Sequence, residues 1–508
     1  MSKSSAPEPA RISGAPEVDR THSILAALKS PRRLRIEVLA GLVVALALIP
    51  ESIAFSIIAG VDPRVGLFAS FTMAVSIAFL GGRPAMISAA TGAIALVIAP
   101  VVREHGLDYL IATVILGGIL QILFGVLGVA KLMRFIPRSV MVGFVNALAI
   151  LIFSAQIPYL IDVPWVVYPL VLLALAIIML FPRLTKTVPA PLVAIVVLTV
   201  ITVTAAIAVP TVGDEGELPD SLPQLFIPDV PFTLETLQII APYALAMAVV
   251  GLLESLLTAK LVDDVTDTHS NKTRESWAQG VANMITGFFG GMGGCAMIGQ
   301  TMINVKASGG RTRLSTFLAG VFLLILVVVL GDVVAIIPMA ALVAVMIFVA
   351  WATFDWHSVR PATLRRMPKS ETTVMVSTVV VTVGTHNLAY GVLVGVLVAM
   401  VLFAHRVSRF TTVTRGDTND DDGQRIYRVE GELFFASSND LVYQFDYSGD
   451  PSHIVIDFSK ARLWDASTVA ALDAVQTKYE SRGKTVTILG MDPDSAARHG
   501  RLSGNLGD

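Results

Sequence analysis

Cysteine and charge are the two things this sequence has least of. Cys295 is the only cysteine in 508 residues, so the chain is not a disulfide-built secreted protein. Only 15% of the residues are charged, whereas an ordinary soluble chain carries about a quarter. Together with 54% hydrophobic residues and a mean hydropathy of +0.72, this deficit excludes a disordered chain and predicts a polytopic membrane protein. The net charge of −2 gives no general affinity for nucleic acid.

Catalytic and metal-binding patterns are also missing from the sequence. It contains no nucleophile–base constellation, no phosphate-binding loop and no metal-ligand spacing. We therefore expect no enzyme, no metal site and no organic cofactor.

The charges that are present lie unevenly along the chain. Residues 411–508 hold 26 of the 76 charged residues, whereas the other 410 residues share 50. We therefore predict a Ser/Pro/Ala-rich, mobile cytoplasmic tail over 1–30, a transmembrane domain over 31–409, a linker over 410–423 and a polar domain over 424–508. No cleavable signal peptide is visible.

Long stretches without Asp, Glu, Lys or Arg fill the transmembrane region, and a spanning helix needs about 20 mainly apolar residues. Two of these stretches, 276–305 and 372–404, are too long for one span. They are broken by glycine-rich sequence at 290–294 and by a polar stretch at 384–391. Dividing both predicts fourteen transmembrane segments in an otherwise all-α membrane domain.

The basic residues predict the orientation of these segments. With an even number of spans, basic clusters such as 32–35 and 365–369 fall on one side, which is the cytoplasm. The acidic loop 214–235 falls outside. We therefore predict a multi-pass protein of the cell inner (plasma) membrane with cytoplasmic N- and C-termini.

Two short sequences recur seven spans apart. Gly-Gly-Arg-Pro-Ala-Met-Ile-Ser at 81–88, at the start of span three, is echoed by Gly-Gly-Cys-Ala-Met-Ile-Gly at 293–299, at the start of span ten. The pair Glu51 and Ser52 in span one is likewise echoed by Glu254 and Ser255 in span eight. The shared offset predicts a seven-plus-seven inverted repeat with a site at mid-membrane beside discontinuous helices.

The Gly- and Pro-rich stretches cannot hold complete helices, so we expect half-helices to start near mid-membrane at about 89–92 and 296–299. Each start would present unpaired backbone N–H groups and the positive end of a helix dipole. Two such ends facing each other form an anion site without a positive side chain. Small residues would let a ligand approach the backbone there: Ala89, Ala90, Gly92, Ala296 and Gly299. The alternative is that the glycines only permit close helix packing.

Glu51 and Glu254 are the formal charges that lie well inside predicted spans. An acid at mid-membrane is costly unless it is protonated or paired, and such residues usually face a cavity. The alternative is a structural carboxyl group that is neutral and hydrogen-bonded. Thr258 shares the helix face of Glu254, so the two are candidates to hold a proton or an ion together. Phe55 shares the face of Glu51 and either lines the cavity or packs in the core.

These residues carry a resemblance to a known family. Ile-Pro-Glu-Ser-Ile-Ala-Phe-Ser at 49–56 resembles the first-span motif of the SulP sulfate-permease family, solute carrier family twenty-six in animals. Ile-Ser-Ala-Ala-Thr-Gly-Ala at 87–93 is similar to its third-span motif, and 283–314 closely follows its stretch through span ten. The resemblance implies a repeat like that of uracil transporters, a core domain moving against a gate domain, and frequent homodimers. The anions of the family include sulfate, bicarbonate, chloride, oxalate and dicarboxylates.

The polar C-terminal region alternates strand and helix patterns. Residues 453–458 and 485–489 read as strands and 469–479 as a helix, which predicts a small α/β domain. It resembles the STAS domain that follows SulP membrane domains. Asp465-Ala466-Ser467-Thr468 lies where anti-sigma-factor antagonists have Asp-Ser-Ser at a helix start. Ser467 is therefore a candidate phosphorylation site, although a helix N-cap role for Asp465 or Ser467 is favoured. We expect the domain to serve in dimer contact, stability or regulation, with a regulatory protein as a candidate partner.

The resemblance and the half-helix argument together assign a site. The predicted substrate-binding residues are Glu51, Phe55, Ala90, Thr91, Gly92, Glu254, Ala296, Met297 and Ile298, and the predicted coupling residues are Glu51, Glu254 and Thr258. Two departures from the family pattern stand out. Glu51 occupies a place where many members have Gln. Gln300 and Ile298 stand where many have Arg and a small or hydroxyl residue.

A missing positive side chain and an added acid favour secondary active, proton-coupled symport of a small anion. Burial favours the protonated acid, which does not repel the anion. The missing arginine favours bicarbonate or a carboxylate, including dicarboxylates, over sulfate. Sodium coupling is the rival, because in some bicarbonate-carrying members the span-eight acid and a hydroxyl serve sodium. Further alternatives are an anion exchanger or channel of the same fold, a STAS-linked membrane sensor and a nucleobase carrier.

Overall fold

The structure is a computed structural model that describes residues 24–128, 136–184, 189–408, 411–416, 424–438 and 441–504. Most of the predicted tail, 1–23, and most of the predicted linker lie outside the described residues. The chain divides into two units, one comprising residues up to Pro368 with 375–394, the other comprising 369–374 with 395–508.

The apolar part of the chain is helical. Its helices in chain order are α1 (Ile24–Leu28), α2 (Pro31–Ala59), α3 (Pro63–Leu80), α4 (Gly92–His105), α5 (Leu107–Val126), α6 (Arg138–Ser154), α7 (Val167–Leu180), α8 (Ala190–Thr204), α9 (Leu234–Thr266), α10 (Lys272–Phe288), α11 (Ile298–Met302), α12 (Arg313–Val329), α13 (Gly331–Ala335), α14 (Met339–Thr353), α15 (Pro361–Arg366), α16 (Lys369–Thr385) and α17 (Leu388–Ser408). A π-helical turn (Ile303–Ala307) continues α11, and 3-10 turns cover Ile157–Leu160, Phe181–Arg183 and Val212–Glu215. A further 3-10 turn, Leu441–Gln444, lies in the C-terminal domain.

Local sequence explains where several of these helices begin and end. Proline lies at the first position of α2 and of α3, where a missing N–H costs nothing. Gly60 ends α2 in the left-handed conformation, with φ of 80°. The two predicted breaks are confirmed, since α10 ends at Phe288 and α16 ends at Thr385.

The apolar helices differ in length, and only some of them are long enough to cross a membrane. Within the described residues, six helical segments are long and apolar enough to cross a membrane, and four shorter apolar helices accompany them. The long ones are Pro31–Ala59, Pro63–Leu80, Leu107–Val126, Arg138–Leu160, Leu234–Thr266 and Leu388–Ser408, and the shorter ones are Val167–Arg183, Ala190–Thr204, Arg313–Val329 and Met339–Thr353. Each of the fourteen predicted spans contains a helix, so the structure is consistent with that count.

The helices of the first unit pack in two groups. Helices α2–α5 pack against α9–α12, and α6, α7 and α8 pack with α14. This division matches the predicted core and gate domains. Within the core group, α5 and α10 approach closely at Gly118 and Gly280, where a Cβ on Gly118 would lie 2.6 Å from the Gly280 carbonyl oxygen.

Two short strands lie inside the core group. Strands β1 (Ser88–Ala89) and β2 (Cys295–Ala296) pair antiparallel, with Ala89 opposite Cys295. Gly294 makes this pairing possible, because a Cβ there would lie 2.1 Å from the Ala89 carbonyl oxygen. The predicted half-helix starts are confirmed, since α4 begins at Gly92 and α11 at Ile298.

The register of the repeat differs from the one that the sequence echo indicated. Met86 and Ile87 precede β1, whereas their counterparts in the echo, Met297 and Ile298, follow β2. The echo therefore found the right two segments but aligned them several residues out of step with the folded elements.

The second unit contains a four-stranded sheet. Its strands are β3 (Thr412–Arg415), β4 (Gln424–Leu433), β5 (His453–Leu463) and β6 (Thr485–Leu489), and its helices are α18 (Phe435–Ser438), α19 (Ala466–Glu480) and α20 (Pro493–Leu502). The strands lie in the order β3-β4-β5-β6, with β3 antiparallel and the others parallel. The predicted α/β domain is confirmed, with a core that includes Tyr427, Phe458 and Leu472.

The loop before α19 answers one question left by the sequence. The Asp465 carboxylate accepts a hydrogen bond from the Thr468 N–H at 3.0 Å and N-caps α19, as the sequence favoured. Ser467 is exposed at the second position of the same helix.

Candidate functional site

The two half-helix starts differ in how they are capped. Thr91 caps α4, and its Oγ1 accepts from the Ile94 N–H at 3.3 Å. Met297 precedes α11 without a side-chain cap. Gly299, in the first turn of α11, is exposed, and a Cβ there would meet no atom within 4 Å. Open space therefore lies beside Gly299 in the first turn of α11, next to segments that are otherwise buried.

Serine hydroxyls accept hydrogen bonds from backbone N–H groups just after β1 and within β2. Ser70 Oγ accepts from the Ala90 N–H at 3.1 Å and lies 2.6 Å from Ser52 Oγ. In the other half, Ser255 Oγ accepts from the Ala296 N–H at 3.1 Å. Ser255, which follows Glu254, thus bonds β2 directly, whereas Ser52, which follows Glu51, contacts the serine that bonds Ala90.

These contacts correct one part of the expected site. The N–H groups of Ala90 and Ala296 are not unpaired, because they donate to serine hydroxyls. The Met297 N–H donates to the Ile87 carbonyl at 2.9 Å. The N–H groups that a helix leaves without intrahelical partners are those of its first turn, which begin at Gly92 in α4 and at Ile298 in α11.

Glu254 lies in α9 with its carboxylate against β2. The side chain is 8% exposed, and Oε2 accepts from Cys295 Sγ at 3.0 Å. Cys295 Sγ also lies 3.1 Å from Thr91 Oγ1, at the cap of α4. The Thr258 hydroxyl donates to the Glu254 backbone carbonyl at 2.8 Å, so it bonds the backbone of that residue rather than its carboxylate.

Glu51 lies in α2 and is half-buried. Its carboxyl group lies beside the side chain of Gln300 in α11. Phe55, one turn further along α2, is buried, and its Cε1 lies so near Gly92 that a Cβ there would be 2.9 Å from it. The residues predicted around the first acid are therefore close to the start of α4.

Gln300 has an acceptor that nothing satisfies. Among the described residues, its buried Oε1 has no hydrogen-bond partner. A buried polar atom without a partner is costly, and such atoms commonly face a ligand or a group that changes protonation state. Here the neighbouring group is the Glu51 carboxyl, which becomes a donor when it is protonated.

The structure thus places the predicted residues in two sets. Thr91, Glu254 and Ala296 are joined through Cys295 and Ser255, while Glu51, Phe55 and Gly92 lie together beside Gln300. Ile298 is half-buried at the start of α11.

Sequence reasoning missed Cys295 and Ser70 and noted Gln300 only as a departure from a pattern. Cys295 lies inside the echoed motif, so its position was a usable signal. Ser70 lies in α3 outside any motif.

Two arginines have partners away from this site. Arg83 is 7% exposed and donates to Asp263 at 2.9 Å, Thr268 at 2.7 Å and Thr266 at 2.6 Å, so it ties the loop after α3 to the end of α9. Arg64 pairs with Glu217 and Asp62. Arg64 also lines a cavity of about 730 Å³ whose other lining residues include five acids, Asp62, Asp214, Glu217, Asp220 and Asp332, a lining that repels an anion.

Comparison with known proteins identifies the family. The profile of the sulfate permease family matches residues 34–169 and 162–378, and that of the STAS domain matches residues 415–503. The chain belongs to the sulfate permease family. It is therefore an integral membrane protein of a family of sulfate and bicarbonate transporters, and its C-terminal α/β domain is a STAS domain.

Relatives and solved structures agree with this family. YbaR of Bacillus subtilis is 54% identical to this chain over 91% of this chain and 95% of its own length. YbaR is named as a sulfate transporter. The bicarbonate transporter BicA of Picosynechococcus is 27% identical over 90% of this chain and 89% of its own.

The solved transmembrane domain of a cyanobacterial BicA covers 73% of this chain and 98% of its own, with 26% identity and a TM-score of 0.63. Murine Slc26a9 in the inward-facing state covers 97% and 92%, with a TM-score of 0.78 and 18% identity, a likeness that concerns the fold.

Proposed function

We propose that the protein carries a small anion across the plasma membrane in symport with protons, through movement of the core helices against the gate helices. The observation that carries this proposal is the set of partners of the two acids. Among the described residues, neither Glu51 nor Glu254 forms an ion pair with a Lys, Arg or His. A mid-membrane acid without a cation is stabilised by taking up a proton.

The charge balance follows from this arrangement. An ionised Glu51 or Glu254 repels an anion at the first turns of α4 and α11, while the positive ends of these helices attract it. Protonation removes the repulsion and leaves the attraction, so anion and proton enter together. Gln300 suits both states of Glu51, since its amide N–H donates to a carboxylate and its free Oε1 accepts from a carboxylic acid.

Bicarbonate or a carboxylate is the preferred substrate class. Gln300, not an arginine, lies beside Glu51, so none of the proposed site residues carries a positive side chain that would balance the charge of a divalent anion. Sulfate is the alternative substrate, because the relative YbaR is named as a sulfate transporter.

Sodium is the rival coupling ion, and the partners of Glu254 argue against it. One carboxylate oxygen accepts from the Cys295 thiol, and thiols are poor ligands for hard cations. The Thr258 hydroxyl donates to a backbone carbonyl.

The test is uptake of labelled anions into proteoliposomes, with pH and sodium gradients imposed separately. One-proton symport should give about tenfold accumulation of a monovalent anion for one unit of inward-directed pH gradient. Glu51→Gln and Glu254→Gln imitate the protonated acids, and we expect the variant of the coupling acid to take up anion without accumulating it. Uptake that responds to sodium and ignores pH would contradict the proposal, and full proton-driven uptake by Glu51→Gln would move the role to Glu254.

We further propose that both termini are cytoplasmic, that the protein is a homodimer, and that residues 424–508 act in dimer contact or regulation. A membrane sensor is the competing reading of a STAS-linked core. Deletion of 411–508 separates the two, because a transporter should still move substrate while a sensor should lose its output. A phosphomimetic Ser467→Asp that changes uptake would support control through the exposed start of α19.

A further inference from the structure

The Cys295 thiol joins two functional groups that belong to different repeats. Cys295 is fully buried in β2, and its Sγ lies 3.0 Å from Glu254 Oε2 and 3.1 Å from Thr91 Oγ1. Both distances are within hydrogen-bonding range for sulfur. The thiol is therefore placed to donate to one oxygen and to accept from the other.

Thr91 extends this link to the backbone of α4. Its Oγ1 accepts from the Ile94 N–H, so the hydroxyl that contacts the thiol is also the N-cap of the half-helix. A continuous hydrogen-bonded chain runs from the Glu254 carboxylate through Cys295 and Thr91 to Ile94.

We infer that Cys295 is a positioning residue, which holds the Glu254 carboxylate and transmits its charge state to the N-terminus of α4 through Thr91. This inference rests on the proposed function, in which a buried acid takes up the coupling proton. It assigns to the sole cysteine of the chain a role in coupling, not only in packing.

The direction of the hydrogen bonds depends on the proton. When Glu254 is ionised, the thiol donates to Oε2 and its sulfur accepts from the Thr91 hydroxyl. When Glu254 has taken a proton from solution, its O–H becomes the donor to sulfur and the thiol turns toward Thr91 Oγ1. That oxygen then accepts from the thiol as well as from Ile94, and the field at the start of α4 changes.

The surroundings of Glu254 make the thiol its main titratable neighbour. The elements packed against α9 are α4, α5, α10, α11 and β2. Of these, β2 supplies Cys295, and among the described residues no other titratable side chain forms a hydrogen bond or ion pair with the Glu254 carboxyl. A change at Cys295 therefore acts on Glu254 without a compensating charge.

The experiment is the pH profile of anion uptake by the full-length protein in proteoliposomes, compared with Cys295→Ala and Cys295→Ser. Loss of the donor favours the protonated acid, so Cys295→Ala should move the half-maximal pH upward by about one unit. Cys295→Ser keeps a donor and an acceptor and should stay near the wild-type profile. The control is Thr199→Val in α8, whose hydroxyl donates to the Ile195 carbonyl of its own helix; its profile should not move.

A spectroscopic measurement covers the case in which Cys295→Ala fails to fold. The unmodified chain has one thiol, so its S–H stretching band in the infrared reports Cys295 alone. The band should shift across the pH range in which uptake changes. Proton-driven uptake with an unmoved band, or with an unmoved profile in a folded Cys295→Ala, overturns the inference, whereas wild-type uptake that ignores pH overturns the proposed function itself.

Discussion

At the scale of single residues, the acids of the helical unit differ in what their carboxylates contact. Glu37 accepts from the backbone N–H groups of Arg311 at 2.9 Å and Ser315 at 3.2 Å, and Glu275 accepts from Gly82 at 2.7 Å. Backbone N–H groups and a helix N-terminus stabilise an ionised carboxylate. Glu254 contacts a thiol instead. Under the proposed function, the partners of these acids, and not burial alone, distinguish Glu37 and Glu275 from the coupling acid.

The variant Glu37→Gln tests this distinction. Because Glu37 caps the start of α12, its loss should destabilise the protein by about 1–2 kcal/mol. Thermal unfolding in detergent measures that loss. The half-maximal pH of uptake should match the wild type, and a shifted midpoint would show that Glu37 also takes part in coupling.

At the scale of elements, the sequence predicted the broken helices but not their pairing. Glycine and proline at 81–88 and 290–294 exclude complete helices, and this local rule sufficed to find the starts of α4 and α11. The pairing of Ala89 with Cys295 joins residues about 200 positions apart, and no local rule contains that information. For the same reason the contacts of Cys295 and Gln300 with the two acids were not predicted, although both acids were.

Gly294 is the position at which this pairing is most sensitive. In Gly294→Ala, the new Cβ would lie 2.1 Å from the Ala89 carbonyl oxygen and 2.6 Å from the carbonyl carbon. Both are backbone atoms, so the clash can be relieved only by moving the main chain. We expect the strands to separate and uptake to fall at least tenfold. Gly384→Ala is the matched control, because a Cβ there meets nothing within 4 Å. Equal uptake by the two variants would show that the strand pair is dispensable.

At the scale of the whole molecule, the apolar helical region, which continues to the end of α17, and the STAS domain that follows it obey different rules. Hydropathy and charge sufficed to separate them in the sequence, and the hydrophobic pattern predicted β5, α19 and β6 of the STAS domain. In that domain, hydrogen bonds from the Ser459 hydroxyl and N–H hold the pKa of Asp457 below its usual value. The hydroxyl and N–H of Ser495 similarly lower the pKa of Asp492, at the start of α20.

These lowered pKa values predict the acid stability of the STAS domain. A carboxyl whose pKa is lower in the folded state stabilises the fold above its unfolded pKa of about 3.9. That stability is lost as the pH falls through the folded value. The fluorescence of Trp464 during unfolding of the full chain, with the other tryptophans replaced, should show constant stability from pH 7 to about 4 and a decline below. Asp457→Asn should flatten the decline, and an unchanged slope would remove Asp457 from the explanation.

The burial of Cys295 also decides how movement between core and gate can be measured. The native thiol is fully enclosed, so a maleimide probe should react with a cysteine introduced on an exposed loop long before it reaches position 295. Pairs of spin labels or fluorophores can then be attached in the natural background, with the hydrogen bond to Glu254 still in place. A cysteine-free background would remove a hydrogen-bond partner of Glu254, the proposed coupling acid.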